Sequence, residues 1–201
     1  MKFLFLFIFI LGVHVIAAQN NYSIRVAVGK PTLNSMGETL LGSVGNYDYN
    51  LKAYNIDGGY LLKQDLLDLR VDLYFKGGLT YYEERFQNDI YGVDIYVKFY
   101  YNIDLWQNRI RIGVGEGASY TNHILKIEQI DAALHNDTNT HFLNYLDVSL
   151  DFDLGKLFRY KALHETYIGV LLKHRSGIFG LIDNVRHGGS NYESIFIEKN
   201  F

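Results

Sequence analysis

The sequence predicts an all-β protein, an eight-stranded antiparallel transmembrane β-barrel of the bacterial outer membrane, and three observations carry that expectation. Apolar residues alternate strictly with polar or small ones in eight stretches, which is the mark of strands with two unlike faces. The connections between those stretches alternate between short and long. Beyond the N-terminal segment no apolar run approaches the roughly 18 to 20 residues that a membrane helix needs; the longest is Tyr167 to Leu172.

The first segment stands apart. Lys2 is followed by an apolar core from Phe3 to Val13 and by the small-residue site Val15-Ile16-Ala17-Ala18. That pattern predicts a cleaved secretory signal over 1–18, cut after Ala17 or Ala18, and a single barrel domain over 19–201.

The strands follow in order. Ile24, Val26 and Val28 alternate with Arg25 and Ala27 in the first, and Tyr47, Tyr49, Leu51 and Ala53 with Asp48, Asn50 and Lys52 in the second. The third sets Leu67, Leu69, Val71, Leu73 and Phe75 against Asp68, Arg70, Asp72, Tyr74 and Lys76. The fourth runs from Tyr91 to Tyr101, the fifth through Ile110, Ile112 and Val114, and the sixth from Leu146 to Leu154. Thr166, Ile168, Val170 and Leu172 mark the seventh, and the eighth extends from Ser190 to Phe201. Between them, Pro31 to Val44 reads as the first outer loop. His123 to Leu134 carries apolar residues at helical spacing and reads as a short helix over the outer rim.

Alternation alone does not separate a soluble barrel, with charges in water, from a membrane barrel, with charges paired inside. The lengths favour the membrane. Eight units in the mature chain leave about 23 residues for each strand and its connection, which suits membrane strands of roughly 9 to 11 residues. With the N-terminus in the periplasm, the short turns at Leu105 to Asn108 and Gly155 to Phe158 fall on the periplasmic side. The long connections, Asn122 to Thr140 and Gly177 to Gly189, then fall outside. The chain ends on Phe201 with Ile197 and Ile195 on one face, resembling the terminal signal of outer-membrane proteins, although Lys199 departs from its apolar pattern. Seventeen Tyr and thirteen Phe suit both strands and the membrane boundary.

Composition excludes some functions. The chain has 19 basic and 22 acidic residues, a net charge of −3, and loss of Lys2 makes it −4; no basic surface for nucleic acid is expected. There is no cysteine, so no disulfide and no thiolate ligand. His135, His141, His164 and His187 are dispersed, so no transition-metal site is expected, and an outer-loop calcium site is the one alternative left open. Asp147, Asp151 and Asp153 read as part of an interior charge network. Gly113, Gly115 and Gly117 read as relief of crowding in a narrow barrel, since no strand-loop-helix context makes them a phosphate cradle.

Two residues on the seventh strand do not fit a purely structural account. His174 and Ser176 share the parity of Ile168, Val170 and Leu172, which places them on the lipid side at the strand's outer end; Lys173 and Arg175 point the other way. Counting back from Phe201, Glu193 and Asn191 take the lipid side of the eighth strand at a similar height. A histidine, a serine and an acid on adjacent strands can form a nucleophilic site: the histidine takes the serine proton and the acid steadies the imidazolium. The plain alternative is a set of polar rim residues in contact with headgroups.

At these residues the chain resembles the outer-membrane lipid A deacylases of the PagL type, the acyloxyacyl-hydrolase-like proteins, through His174-Arg175-Ser176. The resemblance implies an eight-stranded barrel with a His-x-Ser motif on its penultimate strand and an acid on its last. It also implies a site on the barrel exterior, level with the outer leaflet, that removes an ester-linked acyl chain from lipid A. Gly177 stands where the family usually has the asparagine that contributes to the oxyanion hole. Asn191 stands where its acid is counted, with Glu193 two residues on along the same face. The segments Gly113-Val114-Gly115-Glu116-Gly117 and Phe142-Leu143-Asn144-Tyr145-Leu146-Asp147 resemble a poorly characterised branch of the same barrels.

The expected enzyme is then a cofactor-free esterase acting on lipopolysaccharide, lipid A or a related outer-leaflet lipid. Ser176 is the expected nucleophile, His174 the general base, and Glu193 the orienting acid with Asn191 as its alternative. The Gly177 N–H and the Asn191 amide are the candidate oxyanion donors. Arg186 and His187, in the adjoining outer loop, are the candidates for lipid phosphate. The rival expectation is a non-enzymatic structural, adhesive or surface-interaction barrel. Whether the barrel forms a homodimer is left open by the sequence.

Overall fold

The alternating stretches pair in chain order and close on themselves. The computed structural model describes residues 21–43, 51–85 and 87–201; the expected signal segment, Tyr47 and Tyr49 lie outside them. Its strands are β1 (Tyr22–Thr32), β2 (Lys52–Lys63), β3 (Val71–Glu83), β4 (Ile90–Leu105), β5 (Asn108–Thr121), β6 (Phe142–Asp153), β7 (Thr166–Ser176) and β8 (Ser190–Asn200). Each pairs antiparallel with the next, and β8 pairs with β1, which completes a closed eight-stranded barrel without a free sheet edge.

The register fixes the tilt. One row of paired residues leaves β8 at Asn200 and passes Ser23, Gly59, Lys76, Tyr96, Gly117, Tyr145 and Arg175. It returns to β8 at Ser190, ten residues nearer the outer end. A stagger of that size over eight strands tilts them about 40°. Each residue along a strand therefore climbs about 2.5 Å, and each strand crossed from β1 toward β8 climbs about 3 Å.

Outward positions form an apolar band. Ile56, Leu79, Val93, Ile95, Val114, Val170 and Ile195 are all exposed on the outer wall, a surface that lipid tails cover and water would not. Aromatic rings border it. Tyr54, Tyr81 and Tyr91 share one row toward the outer side, with ring centroids 6.1 and 5.6 Å apart, and Tyr22 and Tyr60 pair at 5.4 Å near the other. No described helix is long and apolar enough to cross a membrane.

Inward positions carry the charges, and they are paired. Arg25 donates to Asp57 Oδ2 at 2.8 Å, to Asp147 Oδ2 at 2.6 Å and to Tyr96 Oη at 2.7 Å. Lys98 also binds Asp147 and donates to Ser149 Oγ at 2.8 Å. Arg111 joins Asp151 at 2.7 Å and Glu198 at 3.3 Å, Lys76 binds Glu198, and Lys173 binds Asp94. These side chains are essentially unexposed, so the lumen is filled by ion pairs and tyrosines and no open channel runs among the described residues. The glycines of β5 make that filling possible. A Cβ at Gly113 would lie 2.4 Å from Ser149 Oγ, and one at Gly117 would lie 2.1 Å from the Ile95 carbonyl.

Short helices sit at the ends. α1 (Met36–Leu40) lies in the first outer connection, capped by Ser35 and Glu38 in a reciprocal capping box. α2 (Lys126–His135) closes the outer mouth, as the helical spacing predicts. Leu125 and Ile127 cluster there with Ala53, Tyr82, Ile90 and Tyr192. α3 (Leu154–Leu157) lies in a periplasmic connection.

Several expectations are corrected. Leu51 and Ala53 are buried inside, and the outward face of β2 is Tyr54, Ile56, Gly58 and Tyr60; Gly58-Gly59 breaks the apolar pattern there. Leu67 and Asp68 belong to a 3-10 turn with positive φ, so Asp68 and Arg70 lie before β3 rather than on its inner face. The strand instead runs on through Gly77-Gly78 to Glu83. The β6–β7 connection is not a four-residue turn: it spans 154–165 with α3 and a second 3-10 turn. Asp153 is not part of the interior ion pairs either. It accepts from the N–H groups of Lys156 and Glu165 at 2.9 and 3.1 Å and so shapes that connection. Pro31 and Thr32 are still β1, so the first outer loop begins after them.

Candidate active site on the barrel exterior

Strand parity puts His174 and Ser176 on the outer wall of β7, because Lys173 and Arg175 between and beside them are committed to interior carboxylates. The pairing of β7 with β8 then sets Asn191 directly opposite His174 and Glu193 opposite Leu172. By the tilt, His174 lies level with Tyr54, the lowest of the outer tyrosines, with Ser176 about 5 Å above it and Glu193 about 2 Å below it. The group therefore sits near the outer aromatic border of the apolar wall.

His174 Nδ1 lies 2.7 Å from Asn191 Oδ1. Asn191 is held in turn from the first outer loop, since its Nδ2 donates to the Asn34 carbonyl at 2.8 Å. Thr32 pairs with Asn191 across β1 and β8, is almost fully buried, and accepts from the Asn34 N–H at 3.1 Å. α1 packs against β7 in the same region, and Leu172 is only 5% exposed although it points outward. The lipid-side wall around His174 is thus partly roofed by residues 33–41.

The other expected residues do not join this hydrogen-bonded pair. Glu193 makes no hydrogen bond with His174, and its Oε1 is buried without a hydrogen-bond partner among the described residues. It faces Lys30 across β1 and β8. Ser176 and His174, two residues apart on one face, have Cα atoms about 6.7 Å apart, and no hydrogen bond joins them in this state. Gly177 is packed under the loop that follows it, and a Cβ there would lie 2.0 Å from the Val185 carbonyl; an asparagine at this position would collide with backbone. Arg186 and His187 donate their backbone N–H groups to Asp137 Oδ2 at 2.8 and 2.5 Å. Together with the Thr138 N–H, these bonds hold the Asp137 carboxyl below its usual range. The His187 ring stacks on His135 with centroids 4.1 Å apart.

Glu116 escapes the sequence reading. It is outward and exposed on β5, in the row that continues through Leu146 to His174. The signal was available: an acid at the parity of Ile112 and Val114 on a lipid face. Among the described residues no cluster of His, Cys, Asp or Glu has the composition of a metal site.

No family model and no curated protein matches the chain. Among solved structures the barrel is similar to the outer membrane enzyme PagL, with a TM-score of 0.62 and 13% identity over 89% of this chain and 99% of that one. It is also similar to Neisserial surface protein A, with a TM-score of 0.49 and 15% identity over 92% of this chain and 99% of that one. A likeness at such identity is one of fold. Taken with the closed strand order, the apolar wall, the ring girdles and the filled charged lumen, the likeness to the PagL fold makes the chain a closed eight-stranded antiparallel β-barrel of the bacterial outer membrane.

Proposed function

We propose that the protein is an outer-membrane esterase that hydrolyses an acyl ester of lipid A or a related outer-leaflet lipid. The observation that carries this reading is the 2.7 Å contact of His174 Nδ1 with Asn191 Oδ1 on the lipid-side wall, with Ser176 above on the same face. In the proposed reaction Ser176 Oγ attacks the ester carbonyl as His174 Nε2 takes its proton. The tetrahedral intermediate expels the lipid alcohol, which leaves with that proton, and water then releases the fatty acid from the serine. Asn191 takes the orienting role in preference to Glu193, which has no bond to the imidazole. Because the Asn191 amide is engaged with Asn34, the Gly177 N–H is the remaining oxyanion donor of the two expected. Arg186 is the headgroup contact of choice, since the His187 ring is stacked on His135. No cofactor enters the reaction.

Lipopolysaccharide mixed with the protein in detergent micelles tests the proposal. Wild type should release fatty acid, and Ser176→Ala and His174→Ala should not. The second reading, a non-enzymatic surface barrel, draws on the absence of a Ser176–His174 hydrogen bond and on the amide that stands where an acid would. Release by no variant of a folded barrel would select it.

A further inference from the structure

The hydrogen bonds around Asn191 have a direction that a carboxylate would not need. The Asn34 carbonyl only accepts, so the Asn191 atom 2.8 Å from it must be the amide nitrogen. The amide oxygen is therefore the atom facing His174 Nδ1 at 2.7 Å. An oxygen there requires Nδ1 to carry the proton of the neutral ring, which puts the lone pair on Nε2. We infer that the Asn34 carbonyl in the first outer loop sets the tautomer of His174 by pinning the Asn191 amide, and that Asn34 and Asn191 together are positioning residues for the base. This inference rests on the esterase reading only for its kinetic consequence.

The pin matters because an amide has two unlike ends. A carboxylate accepts from Nδ1–H in either orientation, but a rotated asparagine presents its NH2 to Nδ1 and forces the proton to Nε2. In a serine triad that error costs about 10⁴-fold in kcat. Here rotation is opposed twice, by loss of the bond to Asn34 and by the fixed place of Asn34 itself. The Asn34 N–H donates to Thr32 Oγ1 at 3.1 Å, and its side-chain Nδ2 donates to the Ser43 carbonyl and hydroxyl at 3.0 and 3.2 Å. The loop thus does for this chain what an ionised acid does without help: it guarantees an acceptor opposite Nδ1. The charge of an acid is not replaced, so the pin supplies orientation alone.

The test reads the tautomer directly, by nitrogen NMR of histidine-labelled protein in micelles, with His174 assigned from its loss in His174→Gln. Wild type should show a neutral ring protonated at Nδ1. Asn34→Ala, which removes the ties to Ser43, should shift part of the population to Nε2–H and lower kcat by about tenfold or more with little change in KM. Adding Asn191→Asp to Asn34→Ala should restore the Nδ1–H form and recover kcat, because either carboxylate oxygen accepts. A wild-type ring protonated at Nε2, or a tautomer unmoved by Asn34→Ala in a barrel with well-dispersed amide signals, overturns the inference. If the tautomers follow the expected pattern while no variant releases fatty acid, the pin stands and the esterase reading falls.

Discussion

Arg175 Nη1 donates to Glu128 Oε1 at 2.7 Å across the outer mouth, and both side chains are about 1% exposed. The same carboxylate oxygen accepts from Ser190 Oγ at 2.8 Å. One acid on α2 therefore ties the plug helix to the last turn of β7 and the first residue of β8, the two strands that carry His174 and Asn191. The guanidinium lies between His174 and Ser176 in sequence and points inward, which keeps those two side chains on the lipid side.

Glu128→Ala should leave the Arg175 guanidinium buried and unpaired, a loss of about 3 to 5 kcal/mol. Replacing both partners by apolar residues, Glu128→Leu with Arg175→Met, should cost much less, because no charge is then stranded. Equilibrium unfolding in lipid vesicles measures both. Equal losses in the single and double variants would show that packing at the mouth, and not the ion pair, carries the stability.

Glu84 makes the plug sensitive to pH. Its carboxylate accepts from the Lys126 N–H at the start of α2 at 3.3 Å, and burial pushes its pKa up to about 7. The folded value lies above the ordinary 4.5, so the folded state binds the extra proton. The stability from this group is fully present below the ordinary value and is lost as pH rises through about 7. Amide exchange of α2 should accordingly quicken between pH 5 and about 8 beyond its intrinsic rise, and Glu84→Gln should remove that excess. An unchanged profile in Glu84→Gln would locate the pH response elsewhere.

Gly117 is needed for the β4–β5 pairing itself. Its Cβ would meet the Ile95 carbonyl and the Tyr96 backbone at 2.1 and 2.6 Å, and backbone in a closed barrel has nowhere to move. Gly117→Ala should therefore fail to reach the folded, heat-modifiable form in refolding assays. Gly58→Ala, on the open outer wall where nothing lies within 4 Å, should refold like wild type.

Period-two alternation made β1, β4, β6, β7 and β8 legible, because one face of each meets lipid and the other meets charge. It failed at β2 and at the outer half of β3, where Gly58-Gly59 and Gly77-Gly78 leave no side chains to carry a period. In the site, parity alone placed His174, Ser176, Asn191 and Glu193 on the outer wall. Register between β7 and β8 was needed to match Asn191 rather than Glu193 with His174, since a shift of two residues keeps every side chain on its face. Asn34 was out of reach of such reasoning. Its part is played by a backbone carbonyl in a loop, 157 residues from Asn191 in sequence, and no side-chain pattern marks it.

Glu116 places a carboxylate on the lipid face of β5, about 6 Å deeper than His174 by the strand tilt, and makes no hydrogen bond among the described residues. In a bilayer such a group costs stability, though less than a buried lysine or arginine would. Glu116→Leu should thus stabilise the barrel in vesicles by about 1 to 2 kcal/mol while changing little in detergent, where the wall is more hydrated. The carboxylate also has something to offer. Asn191 orients the imidazole but brings no charge, and a negative group about 10 Å away at an effective dielectric of about 20 favours the imidazolium by up to about 1.7 kcal/mol, which solvent screening of the exposed carboxylate brings down to roughly tenfold in rate. Fatty acid release by Glu116→Leu should fall by about that factor at unchanged KM, with Glu116→Gln close to it. The stability gain without the loss of rate would mean that the carboxylate is only tolerated on this wall. A loss of rate that Glu116→Gln does not share would point to the shape of the side chain instead of its charge.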